Sequence, residues 1–216
     1  MEAFLESGVF CSGRLWAGVF SFRVLSTTMC ADMQTRYPHK NIRLDRLGYI
    51  GQNSYFITFC CEGRGLVFTD AGAAMRLIEN LRATSDIYRF AVYAYCVMPD
   101  HFHALLTGLA PTSDLRRFAK NLKQTSSDDH QKRFRSPLWQ KKFYDHIFRP
   151  TDNFAGAASY IWMNPVRKGL CADPRDYPFS GSFVVDWKTM VRPLEDWTPE
   201  WKREPTSLPE KSRTKR

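Results

Sequence analysis

Apolar and polar positions alternate in short blocks through the middle of the chain, and the blocks switch between two periods. Residues 54–60 read SYFITFC, a run of aromatic and β-branched side chains that predicts a strand. Gly63-Arg64-Gly65 marks a turn after it. Asp70 then stands as a cap before Ala74, Leu77, Ile78 and Leu81, whose spacing predicts a helix to about residue 81. Residues 89–97, RFAVYAYCV, predict a second strand. Met98-Pro99-Asp100 interrupts it, and HFHALLT at 101–107 predicts a third. Ser113 or Asp114 caps a second helix with Leu115, Phe118, Ala119 and Leu122 on its buried face. A fourth strand is expected around 143–148. A third helix is expected from Thr151 or Asp152 to about Asn164, where Pro165 ends it.

This order of elements makes two β-α-β-like halves. It predicts an α+β domain of the ferredoxin-like kind, an antiparallel sheet with helices packed on it. The domain is placed at 47–186. Residues 1–46 are left as an unassigned leader and 187–216 as a basic tail, because the last fifteen residues carry six basic and two acidic side chains.

Composition narrows the class. The chain has 216 residues, 44% hydrophobic and 25% charged, which excludes collagen-like, disordered and disulfide-scaffold proteins. Its six cysteines form no C-x-x-C pair and no ladder, and are read as buried thiols in a reducing compartment. No run of about 18 apolar residues is present, so no membrane contact is expected. The 31 lysines and arginines against 22 acids give a net charge of +9. A balance this basic points to a polyanion, nucleic acid first, with a merely basic surface as the bland reading. The charge is concentrated. Between Leu115 and Arg149 ten basic residues face three acids, so this segment carries +7. Arg116, Lys120 and Lys123 lie on one side of the second helix and could serve as a phosphate rail, with Arg117 as a further DNA-binding candidate, although each alone is also an ordinary solvated charge. Trp139 and Phe143, among them, are read as core.

Two constellations carry candidate chemistry. His101 and His103 are one residue apart on a strand, so both imidazoles share a face and Phe102 takes the other. Converging imidazoles are half of a metal site; they are also what a pair of surface or hydrogen-bonded histidines looks like. Tyr160 and Asn164 are four apart on one helix face. The amide oxygen suits a hard cation and the phenol is a possible nucleophile, but the same spacing describes aromatic packing at a helix end. Tyr144 is the rival nucleophile. Asp145 and His146 are adjacent, so only one of them can face the histidines.

VYAYCVMPDHFHALL at 92–106, WQKKFYDHIFR at 139–149, YIWMNPVRKG at 160–169 and DYPFS at 176–180 settle the context. In this order and spacing they resemble the single-tyrosine HUH transposases, and most closely the REP-associated tyrosine transposases of bacteria, over about residues 47–182. The resemblance implies a ferredoxin-like HUH fold. It makes His101 and His103 metal ligands, Asn164 the residue completing the metal site, and Tyr160 the catalytic tyrosine. It implies Mg2+ or Mn2+ as cofactor and single-stranded DNA with hairpins as partner. It also implies a cytoplasmic, nucleoid-associated enzyme that cleaves and rejoins DNA through a 5′-phosphotyrosine, with a monomer favoured over a dimer that swaps the third helix. Arg167 and Lys168, after the helix stop, are assigned to DNA phosphate together with the rail. Many members carry Asn where this chain has Asp100. A non-cleaving hairpin-binding protein and a metal-hydroxide nuclease stand as the alternatives.

Overall fold

The structure is a computed structural model and describes residues 46–191. The leader and nearly all of the tail fall outside them. The elements are β1 (Ser54–Cys60), α1 (Ala71–Tyr88), β2 (Phe90–Met98), β3 (His101–Gly108), α2 (Leu115–Phe134), β4 (Tyr144–Ile147), α3 (Phe154–Trp162), α4 (Asn164–Arg167), β5 (Ser180–Gly181) and α5 (Trp187–Met190), with short 3-10 turns between. The sheet order is β4-β1-β3-β2-β5, all antiparallel, the ferredoxin-like order with one added edge strand. The predicted fold class is therefore the observed one.

β1 and β3 form the middle of the sheet, and each must satisfy two apolar layers. Tyr55, Ile57 and Phe59 of β1 and Phe102, Ala104 and Leu106 of β3 join α1 and α2 in one core. Phe56 of β1 and Leu105 of β3 join α3 in a second core on the opposite face. Phe102 and Leu106 are fully buried, each contributing roughly 1.5–3 kcal/mol of apolar burial. β2 breaks the period-2 rule, because its register shifts between Val92 and Ala94. The extra residue, Tyr93, lets Phe90 and Val92 face the first core before it, and Tyr95 and Val97 after it. Cys96 and Met98 thereby land on the α3 side.

The caps explain where helices begin. The Asp70 carboxylate accepts from the Gly72 N–H at 2.9 Å and starts α1. Asp114, not Ser113, starts α2, accepting from the N–H groups of Arg116 and Arg117 at 2.9 and 3.1 Å. Neither Thr151 nor Asp152 caps α3. Asp152 is occupied by the Arg149 N–H at 2.7 Å and by His146 Nε2 at 3.0 Å, so Asn153 takes the role and accepts from Gly156 at 2.8 Å. α1 runs seven residues past the expected end at 81, since no Gly or Pro stops it before the left-handed Arg89. The packed region also passes the boundary drawn at 186: Trp187 is buried 5.8 Å from Trp162. Of the four cysteines among the described residues, Cys61 and Cys96 are buried and Cys60 and Cys171 are half-buried.

Gly108 ends β3 against a neighbouring turn. A Cβ there would lie 2.0 Å from the Gly51 carbonyl oxygen, and backbone cannot swing aside as a side chain does. Gly108→Ala is expected to lose about 1–3 kcal/mol in urea unfolding, and an unchanged midpoint would contradict the packing.

Candidate active site

The site lies on the α3 side of the sheet. Alternation on β3 turns His101, His103 and Leu105 to this face, as the H-x-H spacing predicted. Both histidines are buried, with ring centroids 4.7 Å apart and nearly perpendicular. Each is anchored through Nδ1. His101 Nδ1 lies 2.5 Å from Asp100 Oδ1. An ionised carboxylate only accepts, so Nδ1 carries the proton and Nε2 keeps its lone pair. Arg64 reinforces the pair, with Nη2 2.7 Å from the other Asp100 oxygen. Burial alone would raise the Asp100 carboxyl, but the His101 hydrogen bond and Arg64 outweigh it and hold it below the ordinary carboxylate range. Burial pulls His101 down, Asp100 opposes this, and the charges of Arg64 and Lys168 add to the fall. The result is a neutral imidazole beside a carboxylate.

His103 Nδ1 lies 2.7 Å from Thr58 Oγ1, its cross-strand neighbour. A threonine hydroxyl can donate or accept, so this bond admits either tautomer; a cation at Nε2 requires the one with hydrogen on Nδ1. Thr58 was absent from the sequence reading. Its one signal was a buried polar residue in the middle of the apolar run SYFITFC.

α3 brings Tyr160 over the histidines. Its ring is 6.4 Å from that of His103, and Phe56 lies beside both, 5.4 Å from His103 and 6.2 Å from Tyr160. The helix packs on its own sheet, against β2 and β3. Pro165 has no N–H, which ends the regular ladder at Trp162 and leaves the last carbonyls of α3 to other donors. Asn164 Nδ2 donates to the carbonyls of Tyr160 and Ile161 at 3.1 and 3.4 Å. Asn164 Oδ1 accepts from Arg167 Nη2 at 3.0 Å. The helix expected to run to Asn164 thus stops at Trp162 and Asn164 opens α4, but its side chain reaches back to the Tyr160 carbonyl, and its amide oxygen has one lone pair committed to Arg167.

The basic residues separate into groups. Arg116, Arg117 and Lys120 are exposed on α2, whose apolar face packs in the other core, so the structure places this rail on the opposite side of the sheet from the histidines. Lys123 leaves the rail: Nζ donates to the carbonyls of Gln140 and Lys141 at 2.6 and 3.2 Å and ties α2 to the segment before β4. Burial lowers its ammonium from the ordinary value, with Glu62 opposing. Arg167 also turns inward, its guanidinium 3.8 Å over the Tyr160 ring and 2.8 Å from the Tyr160 carbonyl, although the residue as a whole stays exposed. Lys168 is exposed, close enough for its charge to reach His101. Trp139 is core as expected, edge-on to Phe59. Tyr144 pairs with Thr58 and so shares the histidine face. His146 pairs with Phe56 on that face too, whereas Asp145 pairs with Ile57.

Among the described residues no three His, Cys, Asp or Glu side chains cluster as a cation cage. The imidazole nitrogens of His101 and His103, 4.7 Å apart between ring centres, are donors of a type that a divalent cation takes, and so by chemistry is the amide oxygen of Asn164 at the neighbouring helix end.

Two imidazoles on one central strand thus lie beneath a tyrosine carried by a helix that packs on the same sheet. The family model described as transposase IS200 like matches residues 50–152, a span that holds both histidines and stops short of Tyr160. A Haemophilus influenzae protein named "Putative REP-associated tyrosine transposase" is 31% identical over 156 residues, covering 66% of this chain and 86% of that protein. The REP-associated tyrosine transposase of Escherichia coli K12 is 27% identical over 106 residues, covering 45% and 62%. A solved structure of a REP-associated tyrosine transposase bound to a REP hairpin matches the fold with a TM-score of 0.57 at 24% identity, over 72% of this chain and 91% of that one. The chain belongs to the REP-associated tyrosine transposases.

Thr58→Val removes the hydroxyl beside His103 while keeping the strand shape. We expect a loss of about 1 kcal/mol in urea unfolding, or somewhat more because a buried imidazole nitrogen is orphaned. The 15N shifts of the His103 ring should move while those of His101 stay; unmoved His103 shifts would contradict the hydrogen bond.

Proposed function

We propose that this transposase cleaves and rejoins single-stranded DNA beside a hairpin, with Tyr160 as nucleophile and His101, His103 and Asn164 as the holders of Mg2+ or Mn2+. The observation that carries the reading is the convergence of the two Nδ1-anchored imidazoles beneath the Tyr160 ring. A divalent cation bound there supplies charge neutralisation at the scissile phosphate. Two imidazoles and an amide suit manganese better than magnesium, which prefers all-oxygen shells.

The residues perform the remaining work. His101 and His103 present Nε2 atoms whose direction is set by Asp100 and Thr58, so the ligands cost little reorganisation when they bind. Tyr160 Oη attacks phosphorus, the bond from phosphorus to the 3′ oxygen breaks, and the leaving oxygen takes up a proton as the phenol loses one. The 5′ phosphate remains esterified to Tyr160. One phosphodiester replaces another, so a 3′ hydroxyl can reverse the step without a nucleotide cofactor. Phe56 packs beside Tyr160 and His103 and limits ring movement. Lys168 stands where an incoming phosphate adds favourable charge, and Arg116, Arg117 and Lys120 hold DNA that passes to the other side of the sheet. Arg167 and Lys123 are tied up as described and are withdrawn from this set. Partner DNA with a hairpin follows from the family and from the relative solved on a REP hairpin.

The test is a covalent adduct on a denaturing gel, using labelled hairpin DNA from beside the gene. Tyr160→Phe is expected to abolish the adduct and keep hairpin affinity within about twofold, since one hydroxyl outside the DNA-holding residues is lost. Tyr144→Phe should keep the adduct; the reverse pattern would move the nucleophile to Tyr144. His103→Ala and chelation by EDTA should each reduce the adduct rate by at least about 100-fold, with Mn2+ restoring the chelated wild type. Cleavage without adduct would turn the assignment to a hydrolytic nuclease.

A further inference from the structure

Arg167 makes more contacts at the site than any sequence reading of it as a surface charge allows. One nitrogen, Nη2, donates to the Tyr160 carbonyl at 2.8 Å and to Asn164 Oδ1 at 3.0 Å. The guanidinium plane lies 3.8 Å from the centre of the Tyr160 ring. The side chain therefore touches the backbone of Tyr160, its aromatic face and the oxygen of Asn164 at once. Its position follows from the fold. Pro165 removes an N–H from the ladder, and α4 carries Arg167 back across the carbonyl end of α3, where positive charge is favoured. The Met163 carbonyl, accepting from the Arg167 N–H at 3.0 Å, fixes the backbone from which the side chain reaches.

The orientation of Asn164 depends on this contact. Its NH2 group is directed to the carbonyls of Tyr160 and Ile161, so its oxygen points the other way, where the guanidinium meets it. Asn164 is 94% buried, and an amide that flipped would set its NH2 against Arg167. The shared donor Nη2 favours this orientation of the amide, and the guanidinium over the ring favours this placement of Tyr160. An oxygen that accepts from Arg167 retains a second lone pair.

We propose that Arg167 is a positioning residue, which fixes the Tyr160 ring over His103 and holds the Asn164 amide oxygen outward, and that it is not a DNA-phosphate contact. The proposal rests on the reading of Tyr160 as nucleophile and Asn164 as a cation ligand. A lysine cannot replace the arginine. Its ammonium could donate to the two oxygens that Nη2 serves, but it has no planar guanidinium to lie over the Tyr160 ring at the same time.

The experiment compares wild type, Arg167→Ala and Arg167→Lys in three measurements. The first is hairpin affinity against salt concentration by fluorescence anisotropy, without metal. The second is the single-turnover rate of adduct formation at saturating hairpin. The third is the position of the Asn164 side-chain amide signals in 15N-labelled, metal-free protein, assigned with Asn164→Asp. Arg167→Ala should keep affinity within about twofold and leave the salt slope unchanged, while the adduct rate falls about 10–100-fold. The Asn164 amide signals should shift. Arg167→Lys, which keeps the charge, should also keep affinity and still lose at least about fivefold in rate. If Arg167→Ala fails to fold, Arg167→Lys alone decides, and a full wild-type rate in it overturns the proposal. Weaker binding with a salt slope reduced by about one, at an unchanged saturated rate, would make Arg167 a phosphate contact and overturn it. Unmoved Asn164 signals would overturn it too. Wild-type protein that forms no adduct would instead defeat the reading of Tyr160, and the amide signals would still decide whether Arg167 holds Asn164.

Discussion

The strand β3 lies between two hydrophobic cores and must satisfy both. Its even positions fill one core with Phe102, Ala104 and Leu106, and that burial is what fixes its register against β1 and β2. A slip of one residue would put two imidazoles into an apolar layer without partners and lift three apolar side chains out of it. The histidines therefore need no dedicated device to aim them. They point at α3 because their neighbours cannot point anywhere else. Once aimed, they are refined by groups that the same register supplies: Thr58 lies opposite His103 on β1, and Asp100 sits in the turn that starts β3.

The second half of the site obeys a different rule. Tyr160 and Asn164 come from a helix end where the backbone runs short of donors, and side chains fill the gap. Asn164 and Arg167 cap the carbonyls that Pro165 leaves behind, and this local repair is also what orders the groups facing the histidines. Stability of the helix terminus and geometry of the site are thus carried by the same atoms. The two halves meet across Phe56, a core residue in contact with both aromatic partners.

Strands β1 to β4, helices α1 to α3 and the shared face of His101 and His103 were legible from sequence because each rests on periodicity, whereas β5, α4 and α5 are too short to carry a period. Asp70 was legible as a cap from its residue type, while Asp114 could not be told from Ser113. The start of α3 was not, because Asp152 had two other donors to satisfy and the choice between neighbouring caps depends on partners distant in sequence. Arg64 carried no signal: it reaches Asp100 from a left-handed turn across 36 residues of chain. Lys123 and Arg167 part from the other basic residues for one physical reason. A charge count records sign but not direction. Lys123 and Arg167 look like Arg116 and Lys168 in sequence, yet they spend their donors on carbonyls of the fold. Nor can an amphipathic pattern tell which side of a sheet a helix will cover, so the rail on α2 could not be placed relative to the histidines.

The bulge at Tyr93 has an evolutionary reading. It acts as a phase shifter in β2, converting one strand into two segments of opposite parity, and the residues on either side are correct only because the segment has one residue more than its partner. Substitutions in β2 that keep size and apolarity are absorbed by the packing. A single-residue deletion is different in kind, because it would invert every side chain on one side of the lesion and bring Tyr95 and Val97 to the α3 face in place of Cys96 and Met98. A phase set by residue count leaves this strand more tolerant of exchange than of loss or gain.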